Sequence, residues 1–328
     1  MKKKTYTALG LMSGTSMDGV DLSIIKSDGD SYFSQISNNY YEFDNSLRNQ
    51  LIDLRGNLHS SRDIHNYAKE IHEIERQFTL FNGKIINDTI KNYQEEVDLI
   101  GFHGQTIFHK PDEKNSIQLG DANLLSQLTK KKVVNNFRKK DLDNGGQGAP
   151  LAPIFHKVLT ESIKSTYNLS FPINVLNIGG ITNITKIFFK DDKSIIDFSA
   201  YDIAPGNCLI DKWIRKNSDK FFDENGNLAE NGKTDKFIFH QYLENYYYSK
   251  INTKRSLDTN DFDISFAKGL SLENGTTTIS NLTSELLSKK IGNNDIYVCG
   301  GGRKNIFLIN SLKSKISKKL IDIDNLNI

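Results

Sequence analysis

Residues 10–21 read G-L-M-S-G-T-S-M-D-G-V-D, a glycine- and hydroxyl-rich turn between two apolar runs. Within it, Gly14 and Gly19 let an anion approach the backbone closely, and Thr15 and Ser16 supply hydroxyl and amide donors. Apolar and polar residues alternate immediately after the turn, which is the period of a half-buried strand. The stretch therefore predicts a strand, a turn that binds phosphate, and a second strand.

The turn differs from a Walker loop, although the spacing of its two glycines is similar. Val20 and Asp21 stand where that loop needs Lys and Ser or Thr. Asp18 and Asp21 are anionic, so beside a phosphate they require a bridging cation, for which Mg²⁺ is the candidate. For the turn alone, an ordinary hairpin with a solvated polar tip stays open as the alternative.

Two further glycine clusters also follow predicted strands. Gly179 and Gly180 lie between the apolar run 173–178 and residues 181–185, which repeats the strand, turn and strand order and predicts an internal duplication. A second cluster follows residues 295–299 and precedes a run with helical spacing over 305–320, and it consists of Gly300, Gly301 and Gly302. Amides at a helix start can face a nucleotide. Each cluster alone is also compatible with a plain turn, but together they favour a nucleotide site.

Length and composition predict a cytoplasmic protein of two lobes. The chain has 328 residues, a net charge of +2 and 25% charged residues, so neither nucleic acid nor a membrane surface is an expected partner. Its two cysteines are far apart in sequence and indicate neither a disulfide framework nor a zinc site.

Coarse periodicity predicts an α/β fold in two similar halves, 1–168 and 169–328. Strands are expected at 6–12, 20–25, 32–41, 97–102, 133–137, 173–178, 181–185 and 295–299. Helices are expected at 61–92, 122–128, 153–159, 208–215 and 305–320. No linker marks the join near residue 168, which rests on topology alone.

Seven segments together resemble the anhydro-N-acetylmuramic acid kinase family, within the actin, hexokinase and heat-shock-chaperone ATPase superfamily. They span nearly the whole chain, at residues 10–21, 103–106, 137–141, 145–151, 176–183, 205–211 and 299–305. The resemblance implies two duplicated actin-like (ribonuclease H-like) lobes with a nucleotide cleft between them. It also implies a final helix beyond residue 328, which this sequence does not include.

The resemblance implies ATP and Mg²⁺ as cofactors and 1,6-anhydro-N-acetylmuramic acid as the substrate. The reaction would yield N-acetylmuramic acid 6-phosphate and ADP during peptidoglycan recycling. The implied ATP-binding residues are Gly14, Thr15, Ser16, Met17, Asp18, Gly19, Val20, Asp21, Gly179, Gly180, Gly300, Gly301 and Gly302, with Asp18 and Asp21 as the candidate Mg²⁺ ligands. A kinase of another amino sugar and a truncated, non-catalytic sugar- or ATP-binding homologue stay open as alternatives, and so does a homodimer.

Asp141 is the predicted general base. With Arg138 it follows the predicted strand 133–137, and ligands in open α/β sheets bind at the carboxyl ends of strands. In the family the corresponding Asp is held to activate water against the anomeric carbon. From the residues alone, an ion pair between Arg138 and Asp141 on the surface stays open.

Five residues are predicted to contact the sugar, because amides, imidazoles and guanidinium groups bind hydroxyl and N-acetyl groups: His103, Gln105, Arg138, Gln147 and Asn207. A buried structural role stays open for His103. Asn207 precedes the predicted helix 208–215 and is equally a candidate helix cap.

Overall fold

The chain forms two compact units in this computed structural model, Met1–Leu151 and Ala152–Ile328. The structure describes residues 4–190, 196–250 and 256–326.

The first unit is a six-stranded mixed sheet with five helices. Its strands are β1 (Tyr6–Ser13), β2 (Gly19–Ser27), β3 (Phe33–Glu42), β4 (Leu99–Lys110), β5 (Asn115–Leu119) and β6 (Lys132–Asn135). Its helices are α1 (Asn45–Asn57), α2 (Ser61–Asn66), α3 (Ala68–Lys91), α4 (Ala122–Thr129) and α5 (Phe137–Asp143). The strand order is β3-β2-β1-β4, with β6 parallel to the first part of β4 and β5 antiparallel to its second part.

The second unit is a five-stranded mixed sheet with six helices. Its strands are β7 (Ile173–Ile178), β8 (Ile181–Phe189), β9 (Ile196–Pro205), β10 (Asp295–Cys299) and β11 (Leu320–Asp322). Its helices are α6 (Pro153–Ile163), α7 (Cys208–Asn217), α8 (Asn227–Glu230), α9 (Lys236–Lys250), α10 (Leu272–Ile291) and α11 (Ile306–Lys313). The strand order is β9-β8-β7-β10-β11.

The two sheets repeat one topology. In each, three antiparallel strands come first (β1–β3 and β7–β9), and the first of them then pairs in parallel with a later strand, β4 or β10. A further parallel strand, β6 or β11, adds to the outside. The predicted α/β fold in two similar units is confirmed.

Burial explains why these segments are strands. In β2, Val20, Leu22 and Ile24 are buried while the intervening residues are not, so one face of the strand packs on the helices of the first unit. In β7, five of the six residues are buried, as expected of a strand covered on both faces. Each sheet therefore has its own apolar core.

Several elements were not predicted, among them β5, β9, α5, α9 and α10, and three stretches differ from the prediction for reasons that the structure gives. Helix α1 was not predicted; it begins where Asp44 accepts a hydrogen bond from the amide of Leu47 at 2.8 Å. The helical region 61–92 is two helices separated at Tyr67. The run 305–320 is helical only to Lys313, because residues from Leu320 pair with the open edge of β10 instead.

The division between the units precedes helix α6, whereas the predicted boundary near residue 168 would place that helix in the first half. Helix α6 goes with the second unit because it packs on β8 and β9. One contact there is between His156 Nδ1 and Thr185 Oγ1, at 2.8 Å.

Candidate active site

The turn between β1 and β2 consists of Gly14–Asp18. The amide of Met17 donates to the carbonyl of Gly14 at 3.3 Å, and Met17 has a left-handed φ of +54°. The side chains of Met17 and Val20 are each 1% exposed and lie in the core, whereas Thr15 and Ser16 are partly exposed. Met17 and Val20 can therefore offer a ligand only backbone atoms.

Gly19 has a packing role in addition to the predicted one. A Cβ at this position would collide with the carbonyl of Tyr41 and lie 2.8 Å from the ring of Tyr40. Strand pairing between β2 and β3 therefore requires glycine here.

The two predicted Mg²⁺ ligands lie beside one tyrosine. Tyr40 is opposite Asp21 in the β2–β3 register, and its hydroxyl hydrogen-bonds to Asp18. Burial raises the pKa of Tyr40, and the negative charges of Asp18, Glu42 and Asp21 raise it further. Asp18 also accepts a hydrogen bond from Ser16 Oγ at 2.5 Å. Both predicted ligands thus lie near the Tyr40 hydroxyl.

Gln105 lies beneath the turn. It is fully buried, at 0% exposure. Its Nε2 donates to the carbonyl of Gly14 at 3.0 Å, and its Oε1 accepts from Ser13 Oγ at 2.5 Å. The amide predicted to contact the sugar is therefore engaged by the hairpin in this conformation.

His103 and Arg138, both predicted to contact the sugar, contact each other. His103 Nδ1 donates to the carbonyl of Gly104 at 2.7 Å, and its Nε2 accepts from Arg138 Nε at 3.1 Å. This pair of bonds fits only the neutral imidazole with its proton on Nδ1. Burial lowers the pKa of His103 to about 4, and the charge of Arg138 acts in the same direction. His103 is therefore neutral at pH 7 and orients the guanidinium.

A cleft of about 240 Å³ adjoins His103. Its lining is mixed and includes Asn135 and Asn136 as well as Phe102 and Ile117. The predicted sugar contact at His103 therefore borders a space with both polar and apolar walls.

Asp141 comes after β6, as predicted, but it lies on α5, a helix that the sequence did not predict. Asn136, with a left-handed φ of +57°, leads from the end of β6 into this helix. Asp141 Oδ2 accepts a hydrogen bond from the amide of Gly148 at 2.7 Å. A Cβ at Gly146 would collide with the same carboxylate, so the loop after α5 closes tightly on it. Gln147 is half-buried within that loop.

The second hairpin turn, Gly179–Gly180, is held by the start of α7. The amide of Asn207 donates to the carbonyl of Gly179 at 2.8 Å. The amides of Gly206 and Cys208 donate to the carbonyl of Gly180 at 2.9 and 3.2 Å. Asn207 is the N-cap residue of α7, but among the described residues its side chain makes no capping hydrogen bond. The predicted cap therefore acts through its backbone.

The third glycine cluster lies beside the second. β10 runs parallel to β7, and Cys299 is opposite Asn177, so both clusters follow the carboxyl ends of adjacent strands. Gly300 has a φ of +83°, and a Cβ there would lie 2.6 Å from the carbonyl of Ile178. Arg303 donates to the carbonyl of Gly300 at 3.0 Å and pairs with Asp324 at 2.5 Å.

The structure thus groups the predicted residues in four places. In the first unit these are the hairpin with Gln105, the pair His103 and Arg138, and the loop around Asp141; in the second they are the adjacent glycine clusters. Ser13, Tyr40 and Arg303 were missed. Ser13 and Arg303 adjoin glycine motifs in the sequence, whereas Tyr40 reaches its partners only through strand register.

Two negative observations apply to residues 4–190, 196–250 and 256–326. Within these ranges no three His, Cys, Asp or Glu side chains are grouped so as to hold a metal ion. None of the helices there combines the length and apolar character needed to cross a bilayer.

The comparisons with known proteins agree over nearly the whole chain. A sequence model of the anhydro-N-acetylmuramic acid kinase family matches residues 6–327. The anhydro-N-acetylmuramic acid kinase of Pelagibacter ubique is 46% identical over 97% of this chain and 85% of its own length. That of Agrobacterium fabrum is 35% identical over 95% of this chain and 84% of its own length. The chain therefore belongs to the anhydro-N-acetylmuramic acid kinase family.

Proposed function

We propose that this protein is an ATP-dependent sugar kinase that opens and phosphorylates 1,6-anhydro-N-acetylmuramic acid, giving N-acetylmuramic acid 6-phosphate and ADP. Family membership supports the reaction. The observation in this chain that carries it is the Asp141 carboxylate, fixed by the Gly148 amide over a loop that has no room for a side chain at Gly146. We place the reaction in peptidoglycan recycling in the cytoplasm.

Asp141 is proposed to accept a proton from water. The water oxygen bonds to the anomeric carbon as the bond from that carbon to O6 breaks. O6 then takes the γ-phosphoryl group, and the bond between the γ-phosphorus and the bridging oxygen breaks to release ADP. A carboxylate suits this step because it takes up the proton without becoming a cation. One oxygen of Asp141 is held by Gly148, which fixes the orientation of the carboxylate.

Phosphoryl transfer needs positioning and charge neutralisation more than covalent chemistry from the protein. The Thr15 and Ser16 hydroxyls and the backbone of the first turn are proposed to contact the phosphates. In the second unit, the glycine clusters at Gly179–Gly180 and Gly300–Gly302 are proposed to contact the nucleotide through backbone atoms.

Asp18 and Asp21 fit a Mg²⁺ ion bound together with ATP. Both are hard oxygen donors, and both lie near the Tyr40 hydroxyl. Mg²⁺ is usually held by one or two carboxylates plus substrate phosphates. When bound, the ion would neutralise charge on the phosphates.

The sugar contacts proposed are His103, Arg138, Gln147 and Asn207. The strongest support is for Arg138, because a neutral imidazole orients it without competing for negative charge. Gln105 is assigned a different role below.

Incubation of the purified protein with Mg-ATP and the anhydro sugar tests the proposal. We expect ADP and N-acetylmuramic acid 6-phosphate in equal amounts. N-acetylmuramic acid and N-acetylglucosamine serve as control substrates. Turnover of a control sugar in preference to the anhydro sugar would favour another amino-sugar kinase, and nucleotide binding without turnover would favour a non-catalytic homologue.

A further inference from the structure

We propose that Gln105 is a positioning residue for the nucleotide: it fixes the Gly14–Thr15 peptide so that the Thr15 amide faces the phosphates. This inference rests on the proposed function only in taking the first turn as the nucleotide-binding turn. It replaces the predicted role of Gln105 as a sugar contact.

The local geometry of β4 brings Gln105 under the turn. Ser13 is opposite Gln105 in the parallel pairing of β1 and β4, after an irregularity between Leu11 and Ser13. The preceding residue, Gly104, has a φ of +77°, and a Cβ there would collide with the carbonyl of Leu119. The glycine therefore allows a backbone conformation that other residues rarely adopt, just before Gln105.

The Gln105 amide is engaged at both ends. Nε2 donates to the carbonyl of Gly14 at 3.0 Å and to that of Thr106 at 3.4 Å, and Oε1 accepts from Ser13 Oγ at 2.5 Å. The reversed amide would bring its oxygen against the two carbonyl oxygens, so the hydrogen-bond network fixes its orientation.

Peptide planarity carries the effect to the surface. In a trans peptide the C=O of one residue and the N–H of the next point in opposite directions. Because Gln105 draws the Gly14 carbonyl inwards, the amide of Thr15 points away from the buried side. An amide directed outwards from a phosphate-binding turn is a donor oriented for an anion.

Glutamine suits this position because it is neutral and offers both a donor and an acceptor. A buried Glu at this site would place negative charge against the Gly14 carbonyl unless it were protonated. A Met of similar length would fill the space but leave the Gly14 carbonyl without this donor.

Calorimetric titration with ADP provides the test, using Gln105→Met and Gln105→Glu. For Gln105→Met we expect the Kd for ADP to rise by roughly tenfold, as for one lost oriented hydrogen bond, with the Kd for the anhydro sugar unchanged. For Gln105→Glu the ADP affinity relative to wild type should recover between pH 8 and pH 6, because protonation restores a donor. Comparison with wild type at each pH cancels the titration of ADP itself.

The control is Ile86→Ala, a cavity variant on α3 in the same core, which should lower stability and leave the Kd for ADP unchanged. The proposal would be overturned if Gln105→Met kept the wild-type Kd for ADP, whether or not its Kd for the anhydro sugar changed. If Gln105→Met does not fold, the test rests on Gln105→Glu. A loss of ADP affinity in that variant that stays the same from pH 8 to pH 6 would overturn the proposal. Wild-type protein that binds ADP but turns over no sugar would refute the proposed function, while the ADP titrations would still decide the role of Gln105.

Discussion

The two hairpin turns occupy the same place in duplicated sheets, yet different parts of the chain hold them. The turn Gly14–Asp18 is fixed by a side chain, because Gln105 donates to its first carbonyl. The turn Gly179–Gly180 is fixed by backbone amides at the start of α7. The first turn also carries hydroxyls and a carboxylate, whereas the second consists of glycine alone.

This difference shows how a duplicated unit can divide a reaction. A turn held by one side chain keeps its own side chains available for phosphate and cation. A turn held by the backbone contributes position and little else. We therefore expect changes in the first unit to affect chemistry and binding, and changes in the second to affect folding where an added Cβ would collide, as at Gly300.

The largest effect is expected at Asp141. Asp141→Asn keeps the size of the side chain and an acceptor for Gly148 but removes the base, so kcat should fall by roughly 10²–10⁴-fold. ADP release measured with saturating sugar checks this. Affinities for ADP and sugar, measured by calorimetry, should stay near those of wild type.

Asp143→Asn is the matched control. Asp143 lies on the same helix, is exposed, and pairs with Lys139 at 3.2 Å. Such an exposed ion pair contributes little to stability, so this variant should fold normally and keep wild-type turnover. Near-normal turnover in Asp141→Asn, or equal loss of sugar binding and turnover, would remove Asp141 from the role of base.

In the second unit, Gly300→Ala should destabilise the fold by about 2–3 kcal/mol. Gly300 has a positive φ, and a Cβ there would collide with the Asn177 side chain and approach the carbonyl of Ile178. Gly301→Ala is the control, because no described atom lies within 4 Å of a Cβ there. Urea unfolding measures the stability of both variants. Equal stability of Gly300→Ala and Gly301→Ala would show that the fold does not require glycine at position 300.

Gly14→Val should weaken ADP binding by roughly tenfold or more and leave the fold intact. The nearest atom to a Cβ at Gly14 is Ser16 Oγ at 3.7 Å, so the protein itself accommodates a side chain. The added methyl groups would instead occupy the space proposed for phosphate. Gly10→Val, on β1 before the turn and with no described atom within 4 Å of its Cβ, serves as the control in calorimetry. Unchanged ADP affinity in Gly14→Val would exclude the turn from the site.

Most of the sheet framework was predictable from sequence because apolar alternation is a local signal. The strands at residues 173–178 and 295–299 were predicted to the residue, and the turn between β1 and β2 was expected where it lies. Helix α5 was not predicted because seven residues between a strand and a glycine loop carry too little periodicity. Leu320 was predicted to end a helix because its apolar spacing also fits a helix. Only the pairing with β10 determines that a strand begins there.

The site was predictable as a set of motifs but not as contacts. Gln105 belongs to a predicted segment, yet its burial depends on the left-handed conformation of Gly104 and on the pairing of β4 with β1. Tyr40 reaches Asp18 only through the register of β3. These contacts join residues far apart in sequence, for which spacing carries no signal.

The smallest effect concerns pH, because each unit contains a histidine whose pKa is lowered by burial, His103 in the first and His156 in the second. Burial lowers the pKa of His156 to about 4, and burial together with Arg138 does the same for His103. An unfolded histidine has a pKa near 6.5, so between about pH 6.5 and pH 4 the unfolded chain binds protons that the folded chain does not. Each histidine therefore favours unfolding as the pH falls through this range, and neither does so above it.

His156→Gln tests this in the second unit without touching the proposed chemistry. Glutamine can still hydrogen-bond to Thr185 Oγ1, the partner of His156 at 2.8 Å, but it takes up no proton. The stability lost between pH 7 and pH 5 should therefore shrink by about 1–2 kcal/mol, as measured by urea unfolding at both values. His240→Gln, at an exposed position on α9, is the control and should leave the pH dependence unchanged. If His156→Gln lost as much stability as wild type on acidification, burial of His156 would not be a source of the acid sensitivity. The histidine with a lowered pKa, which the two units have in common, would then not explain their acid sensitivity.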